Sequence, residues 1–341
     1  MEESADRRSD VGALMCLLRR AEAMTGEEMV CMDHDHYYET ATKRNLGVVT
    51  PEEQRRLRRS TVAIAGMGGG GGNYLTALTR MGIGRFKLSD FDTFDPVNVN
   101  RQAGAAASTF GRPKVEVMAK MARDIHPGVE IDTFDAGIHR HNVEEFVRDA
   151  DVVIDALDIF SMPARRLLHR SAKAAGKTVL FGAPPGFSCT LNVFTPSGMS
   201  FDAYFDIRND MSDFHQIIAL LVGMAPAGTH LAYTDFSRAR PDEHAAPSIA
   251  SAMYLTAGLV ATEALVVLLQ RRPPFAAPAY QQFDPFRGIY RRGRLHWGNR
   301  GPLQRLKRLV VSRRLREFGE QVHFDELRGA PSLAGAAGNG M

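Results

Sequence analysis

An α/β protein is what the sequence predicts: an open, mostly parallel sheet with helices on both faces, preceded by a helical lead-in and followed by a basic tail. Three observations predict it. From Thr61 to Thr195, short apolar, β-branched runs alternate with stretches of helical periodicity, the pattern of parallel strands joined by helical crossovers. Five consecutive glycines, Gly68 to Gly72, lie between the first such strand and the first such helix. An acid, Asp90, closes the second strand about twenty residues on.

The elements follow in order. Residues 1–59 read as a charged helical extension. Thr61–Ala65 is a buried strand. Helical spacing then runs from Asn73 to Met81, and Gly82 suits the position just past a helix end. Phe86–Ser89 is the second strand. Pro113 opens a helix that places Val115, Met118, Met121, Ala122 and Ile125 on one face, and Pro127-Gly128 stops it. Val129–Phe134 alternates as a strand does, Val152–Asp155 is a buried strand, and Pro163–Ala175 is a helix. Lys177–Ala183 and Ser188–Thr195 are further strands. Residues 60–197 thus form a Rossmann-like α/β core. Residues 198–247 read as a variable insert, with a helix over Asp213–Met224 and a long loop from Pro226 to Pro247. Residues 248–295 complete the core with the apolar run Ile249–Leu269 and a closing strand pair at Tyr280–Phe283 and Gly288–Arg291. From Pro285 to Arg316 there are many Arg and Lys and no acid, and residues 332–341 are expected to be disordered.

Composition narrows the class. The chain has 341 residues, 44% hydrophobic and 24% charged, with a formal net charge of +3, ordinary for a globular protein. Cys16, Cys31 and Cys189 lie far apart, so neither a disulfide scaffold nor a C-x-x-C zinc site is expected. The acidic N-terminus lacks a secretory apolar core, and a cytoplasmic location is expected. Ile249–Leu269 is long enough to span a bilayer, but Glu263 lies within it, and an ionised carboxylate in lipid is costly. A buried core helix is expected there.

The glycines carry the first chemical argument. Gly66, Gly68 and Gly71 satisfy G-x-G-x-x-G between a strand and a helix. Such a loop lets backbone N–H groups approach a polyphosphate, the helix N-terminus adds its positive dipole end, and an acid such as Asp90 can take ribose hydroxyls. Alone, this Rossmann-like signature fits an NAD-dependent oxidoreductase best. The residues that follow change the balance. Asp90-Phe-Asp92 leads to Asn98-Val-Asn-Arg101-Gln102 and then to Gly111-Arg-Pro-Lys114. An Arg fork and a Lys point charge answer the charge of a triphosphate, which a nicotinamide site has no evident need of. Asp155-Ala-Leu-Asp158 follows another strand end, where a carboxylate can hold Mg²⁺ against phosphates.

Ala63–Gln102, Lys114 and Val153–Asp158 resemble the ThiF/MoeB/ubiquitin-activating-enzyme superfamily, whose pattern is G-x-G-G-x-G, D-x-D, N-x-x-R-Q, a Lys and a later Asp. Pro247–Leu269 and Tyr280–Phe283 resemble its C-terminal helix and strand. The resemblance implies ATP at the glycine loop, a homodimer, and adenylation of a carboxylate with release of pyrophosphate, the carboxylate being the C-terminus of a small protein or peptide. Carried over residue by residue, Gly66, Gly68, Gly69 and Gly71 would surround the phosphates, and Asp90, with Asp92 beside it, would hold the ribose. Arg101 and Lys114 would stabilise the departing pyrophosphate. Asn98 and Gln102 would orient phosphates or the carboxylate. Asp158 would coordinate Mg²⁺, Asp155 would be structural, and Arg44 would be lent by the neighbouring subunit.

The chain departs from the family where the two C-x-x-C zinc pairs of many members would stand, so no structural zinc is expected. Cys189 lies in an alternating strand and reads as a buried apolar side chain, so no thioester is expected. Asp33-His-Asp-His36 reads as solvated surface rather than a metal site, and His126, His139 and His141 need no catalytic role. Trp297 is expected to cover an edge. Leu303, Leu306, Leu309, Val310 and Leu315 alternate with basic residues, as in an amphipathic helix with its basic face in solvent; an anionic partner such as RNA is the alternative. The superfamily branch that dehydrates threonylcarbamoyladenosine in tRNA is the runner-up, and a nucleotide-binding adaptor without turnover is a third reading.

Overall fold

The computed structural model describes residues 33–238 and 246–316. Cys16, Cys31, the first part of the lead-in and the extreme C-terminus therefore lie outside the described residues. Within them, one sheet has the strand order β3-β2-β1-β4-β5-β6-β7-β8. β1 (Thr61–Ala65), β2 (Arg85–Ser89), β3 (Glu130–Phe134), β4 (Val152–Asp155) and β5 (Thr178–Ala183) are parallel. β6 (Cys189–Phe194), β7 (Ala279–Asp284) and β8 (Ile289–Arg294) extend the sheet antiparallel. The fold class is the expected one, and each strand read from the sequence forms with small shifts at its ends.

The helices are α1 (His34–Thr42), α2 (Pro51–Arg59), α3 (Gly69–Arg80), α4 (Lys114–Ile125) and α5 (Val143–Arg148). There follow α6 (Met162–Ala174), α7 (Phe201–Phe205), α8 (Asp213–Met224), α9 (Ala250–Leu269) and α10 (Pro302–Arg314). Alternation along the strands sorts them into two layers. Val62 and Ile64 of β1 join Leu57, Leu75, Leu78, Met118, Val260 and Ala264, so α2, α3, α4 and α9 cover one face. Ala63 and Ala65 join Phe146, Leu168, Phe205 and Leu220, so α5 to α8 cover the other. A strand buried on both faces is apolar at every position, which is why β1 reads as an unbroken run.

Three details differ from expectation. Helix α3 starts at Gly69 rather than Asn73, inside the glycine run. Glycine is a poor helix former, but a Cβ at Gly71 would sit 1.7 Å from the Gly66 oxygen, so the turn cannot close on the loop with any other residue there. Helix α10 docks by its polar side. Gln304 is buried and donates to Asn299 Oδ1 at 3.2 Å, Arg308 donates to Asp206 Oδ2 at 2.8 Å, and Lys307 donates to the Pro226 carbonyl at 2.7 Å. Leu303, Leu306, Leu309 and Val310 are 43 to 63% exposed. The surface beneath offers carbonyls and a carboxylate, so it takes donors and leaves the leucines outward. Trp297 stands largely in solvent; it is 69% exposed.

Helix α9 is apolar and long enough to cross a membrane by length and composition. In the fold it packs on α2, α3, β5 and β6. Glu263 is buried there, and both its oxygens accept from Arg272, at 3.2 and 2.7 Å.

Candidate active site

The strand order reverses between β1 and β4, so the loops leaving their carboxyl ends part and open a crevice, the usual ligand position of an open α/β sheet. The glycines follow β1, and Asp155–Asp158 follow β4. A cavity of about 1990 Å³ lies there. It brings together Gly66, Gly68, Gly69, Asp90, Asp92, Asn98, Arg101, Gln102, Lys114 and Asp158, residues spread over more than ninety positions of sequence. Of the residues singled out from the sequence, Gly71 and Arg44 are not part of its wall. Gly71 packs on Gly66 instead. Arg44 is exposed on a short 3₁₀ turn, Lys43–Asn45, of the lead-in.

The loop geometry explains the remaining glycines. Gly66 has φ +97°, and a Cβ would lie 2.4 Å from the Ala156 oxygen, so the β1 and β4 loops touch backbone to backbone. At Gly69 a Cβ would meet Met253 Cε at 2.7 Å and Arg101 Cγ at 3.5 Å. No side chain caps the start of α3, and its first N–H groups lack intrahelical partners. That leaves an anion-binding helix terminus at the cavity.

Asp90 takes its position from the backbone. Its Oδ2 accepts from Met67 N at 2.6 Å and its Oδ1 from Asp92 N at 2.8 Å. Burial pushes its carboxyl above the usual range, and those two N–H bonds oppose this. Each oxygen keeps a lone pair for a ribose hydroxyl. Asp92 instead holds a cation: its Oδ2 lies 2.8 Å from Lys114 Nζ, which is buried at the start of α4. Asn98 uses Oδ1 to accept from Asp95 N at 3.1 Å, closing the turn that carries Arg101. Arg101 is half-buried. Desolvation lowers its pKa, and the Asp158 carboxylate, which lines the same cavity, opposes that. Asp158 is itself exposed, with Oδ1 accepting from Phe160 N at 3.0 Å.

Several residues of the site carry no local signal in the sequence. Asn73 Nδ2 donates to Gly69 O at 2.6 Å and Arg101 O at 3.2 Å, pinning the arginine to the glycine helix. Arg165 is wholly buried; its Nε donates to Asp155 Oδ2 at 2.8 Å, and its terminal nitrogens donate to the Leu157 and Asp158 carbonyls. His169 completes the pair on Asp155 at 3.0 Å. Asp155 is therefore structural, as expected: it anchors the arginine that shapes the loop holding Asp158. Ser89 Oγ and Gln102 Oε1 are buried in the cavity wall and bond no described residue. A cradle sealed by Gly66, an uncapped helix terminus and two cations suits a polyphosphate, while the buried Gln102 Oε1, an acceptor without a partner among the described residues, would take a donor such as a hydroxyl or amine of the ligand.

The other sequence candidates separate cleanly. Cys189 is buried on β6, and desolvation pushes its thiol up to about 11, the setting of a packed apolar side chain rather than of an activated thiol. His139 lines the cavity with Nε2 2.6 Å from Ala136 O. His126 is buried beside Tyr37 and Tyr38, away from the cavity. Among the described residues no group of His, Cys, Asp and Glu is placed to hold a metal by itself.

Comparisons with known proteins identify the family. The ThiF family profile matches residues 41–300. The SAMP-activating enzyme E1 of Haloferax volcanii is 32% identical over 157 residues, covering 46% of this chain and 57% of that protein. The sulfur carrier protein adenylyltransferase of Thermus thermophilus is 34% identical over 149 residues, covering 44% and 54%. The tRNA threonylcarbamoyladenosine dehydratase of Bacillus subtilis is 40% identical over 116 residues, covering 34% and 46%. The matched stretch thus spans about half the length of the relatives. Among solved structures, PaaA superposes with a TM-score of 0.55 at 20% identity, covering 83% of this chain and 81% of PaaA. E. coli MccB, crystallised with AMPCPP and MccA, superposes at 0.58 and 16% identity, covering 75% and 71%. These two likenesses are of fold. On the extent of the profile match, the chain belongs to the ThiF family.

Proposed function

We propose that the chain is an ATP-dependent adenylyltransferase that activates the C-terminal carboxylate of a small protein or peptide. The observation that carries this reading is the convergence of Arg101, Lys114 and Asp158 on the glycine loop. Relatives named as adenylyltransferases of a sulfur carrier and as a SAMP-activating enzyme support it. In the reaction, a carboxylate oxygen bonds to the α-phosphorus, the bond from that phosphorus to the bridging oxygen breaks, and pyrophosphate leaves with the electron pair. Gly66 and the start of α3 admit the phosphates close to the backbone. Arg101 and Lys114 neutralise the charge that grows on the leaving group, Lys114 exchanging its Asp92 partner for phosphate oxygen. Asp90 accepts from the ribose. Gln102 orients the incoming group from the floor of the site. Asp158 would hold Mg²⁺, a charge-neutralising ion that commonly takes only one or two protein carboxylates and completes its shell with water and phosphate.

The test is ATP–pyrophosphate exchange with candidate C-terminal peptides. Arg101→Ala should reduce the rate by on the order of 10²–10³, as for loss of one preorganised charge contact, and Asp158→Ala should nearly abolish it while circular dichroism stays native. Normal exchange in Asp158→Ala removes that residue from the mechanism. Tight NADH binding without any response to ATP and magnesium overturns the reading as a whole.

The 40% identical stretch shared with the tRNA dehydratase favours a second reading, an RNA-linked carboxylate. Filter binding of tRNA at two salt concentrations distinguishes it, because phosphate contacts weaken steeply with salt. A symmetric dimer also belongs to the proposal: Leu46, Val48, Val97, Val99 and Tyr254 are exposed apolar side chains, and a neighbour docked there would supply Arg44. Analytical ultracentrifugation reads the oligomeric state directly.

A further inference from the structure

The cavity is too large for its nucleotide. Small-molecule sites commonly occupy about 300–1,000 Å³, and this one holds about 1990 Å³. Its two ends differ in chemistry. Every acid in the described wall (Asp90, Asp92 and Asp158) stands at the glycine end. The far end is built by α8 and α10, and its wall is apolar: Ile217, Leu221, Val222, Leu306, Val310 and Val311. The charged residues that α10 adds there are Lys307 and Arg314, both cations.

The inverted docking of α10 produces this wall. Because Gln304 and Arg308 attach the helix, Leu306 and Val310, one turn apart, are left 56% and 43% exposed at the cavity. Lys307 is half-buried against the Pro226 carbonyl and, among the described residues, has no carboxylate partner; nor has Arg314. Desolvation lowers the Lys307 pKa, so an arriving carboxylate would find a cation already stripped of part of its water. A tail of small residues only would leave this end unfilled. A chain with bulky apolar and acidic side chains would fill it.

Resting on the adenylation reading, we propose that the α8–α10 end of the cavity is a docking groove for the residues that precede the activated carboxylate, an extended peptide segment with apolar and acidic side chains. Such a segment lays its apolar side chains on Leu306, Val310 and Leu221, sets an acidic group against Lys307 or Arg314, and runs toward Arg101 and Lys114 with its terminal carboxylate leading.

The experiment uses the full chain and two fluorescein-labelled octapeptides with free C-termini, one with Leu, Phe and Glu before the terminus and one of Gly and Ser only. Fluorescence anisotropy is read with and without ATP and magnesium, and ATP affinity is measured separately by calorimetry. The apolar-acidic peptide is expected to bind at least tenfold more tightly than the Gly/Ser peptide. Leu306→Asp and, independently, the charge reversal Lys307→Glu with Arg314→Glu should each remove at least tenfold of that affinity while ATP affinity stays within twofold. Leu306 and Arg314 are exposed, so Leu306→Asp should fold; Lys307 also holds α10 to the Pro226 carbonyl, so Arg314→Glu alone is measured beside the double variant, and circular dichroism checks that each folds. Equal binding of both peptides, binding of neither, or affinity unmoved by both sets of substitutions overturns the groove. Capture of tRNA in place of either peptide overturns it in favour of an RNA substrate. Failure of the unaltered chain to bind ATP while peptide discrimination persists would instead overturn the adenylation reading and leave the groove standing.

Discussion

At the scale of single residues, Gly66 combines two constraints that only glycine meets. Its positive φ and the 2.4 Å approach that any Cβ would make to the Ala156 oxygen leave Ala no relaxed conformation. Gly66→Ala should cost at least about 1–3 kcal/mol of stability, measured by urea unfolding, and should weaken ATP binding because the β1 and β4 loops must separate. Arg165 and Asp155 are wholly buried as a pair. Arg165→Leu leaves an uncompensated buried carboxylate and should cost about 3–5 kcal/mol. The pair also sets a pH dependence. Burial alone would raise the Asp155 carboxyl, but Arg165 and His169 more than offset it and hold it below its ordinary value. A folded value below the unfolded one means that the stabilisation is full above about pH 3.9 and is lost as pH falls through the depressed folded value. Asp155→Asn should therefore flatten the acid limb of a stability–pH curve while lowering stability near neutrality. Gly66, Asp90, Arg101 and Lys114 were legible because their spacing is local and their chemistry distinctive. Arg165 was not, because its partner lies on another element and a buried arginine looks like a surface one in a sequence.

Among the elements, the strands read well for a physical reason: a strand covered on both faces has no polar position to confuse its pattern. The glycine helix and α10 read less well. Propensity argued against starting α3 in glycine, and close packing of the turn on the loop outweighed it. In α10 the periodicity was real, but hydrophobic spacing does not say which side meets the body; the carbonyls of Val222 and Pro226 and the carboxylate of Asp206 decided that. Helix α9 offers a test at this scale. Its buried Glu263 is satisfied by Arg272 from beyond the helix end. Arg272→Ala leaves a buried acceptor without its donor and should cost about 1–3 kcal/mol, whereas Glu263→Gln, which keeps an acceptor, should cost less. Thermal unfolding of the two variants orders them.

For the whole molecule, a triphosphate that binds only the folded chain must stabilise it by mass action. ATP with magnesium at a hundred times its dissociation constant should add about 2.7 kcal/mol, visible as a rise of several degrees in Tm, and NADH at the same concentration should add nothing comparable. Assembly of the crevice also depends on a long-range event. Register pairs Val62 of β1 with Val152 of β4, and Gly66 reaches Ala156 only once those strands lie side by side. During synthesis, a nascent polypeptide that has emerged only as far as its glycine-rich turn possesses half of the crevice. The second wall arrives late, when the ribosome has delivered the β4 loop, so on the adenylation reading a half-made chain has no grip on ATP.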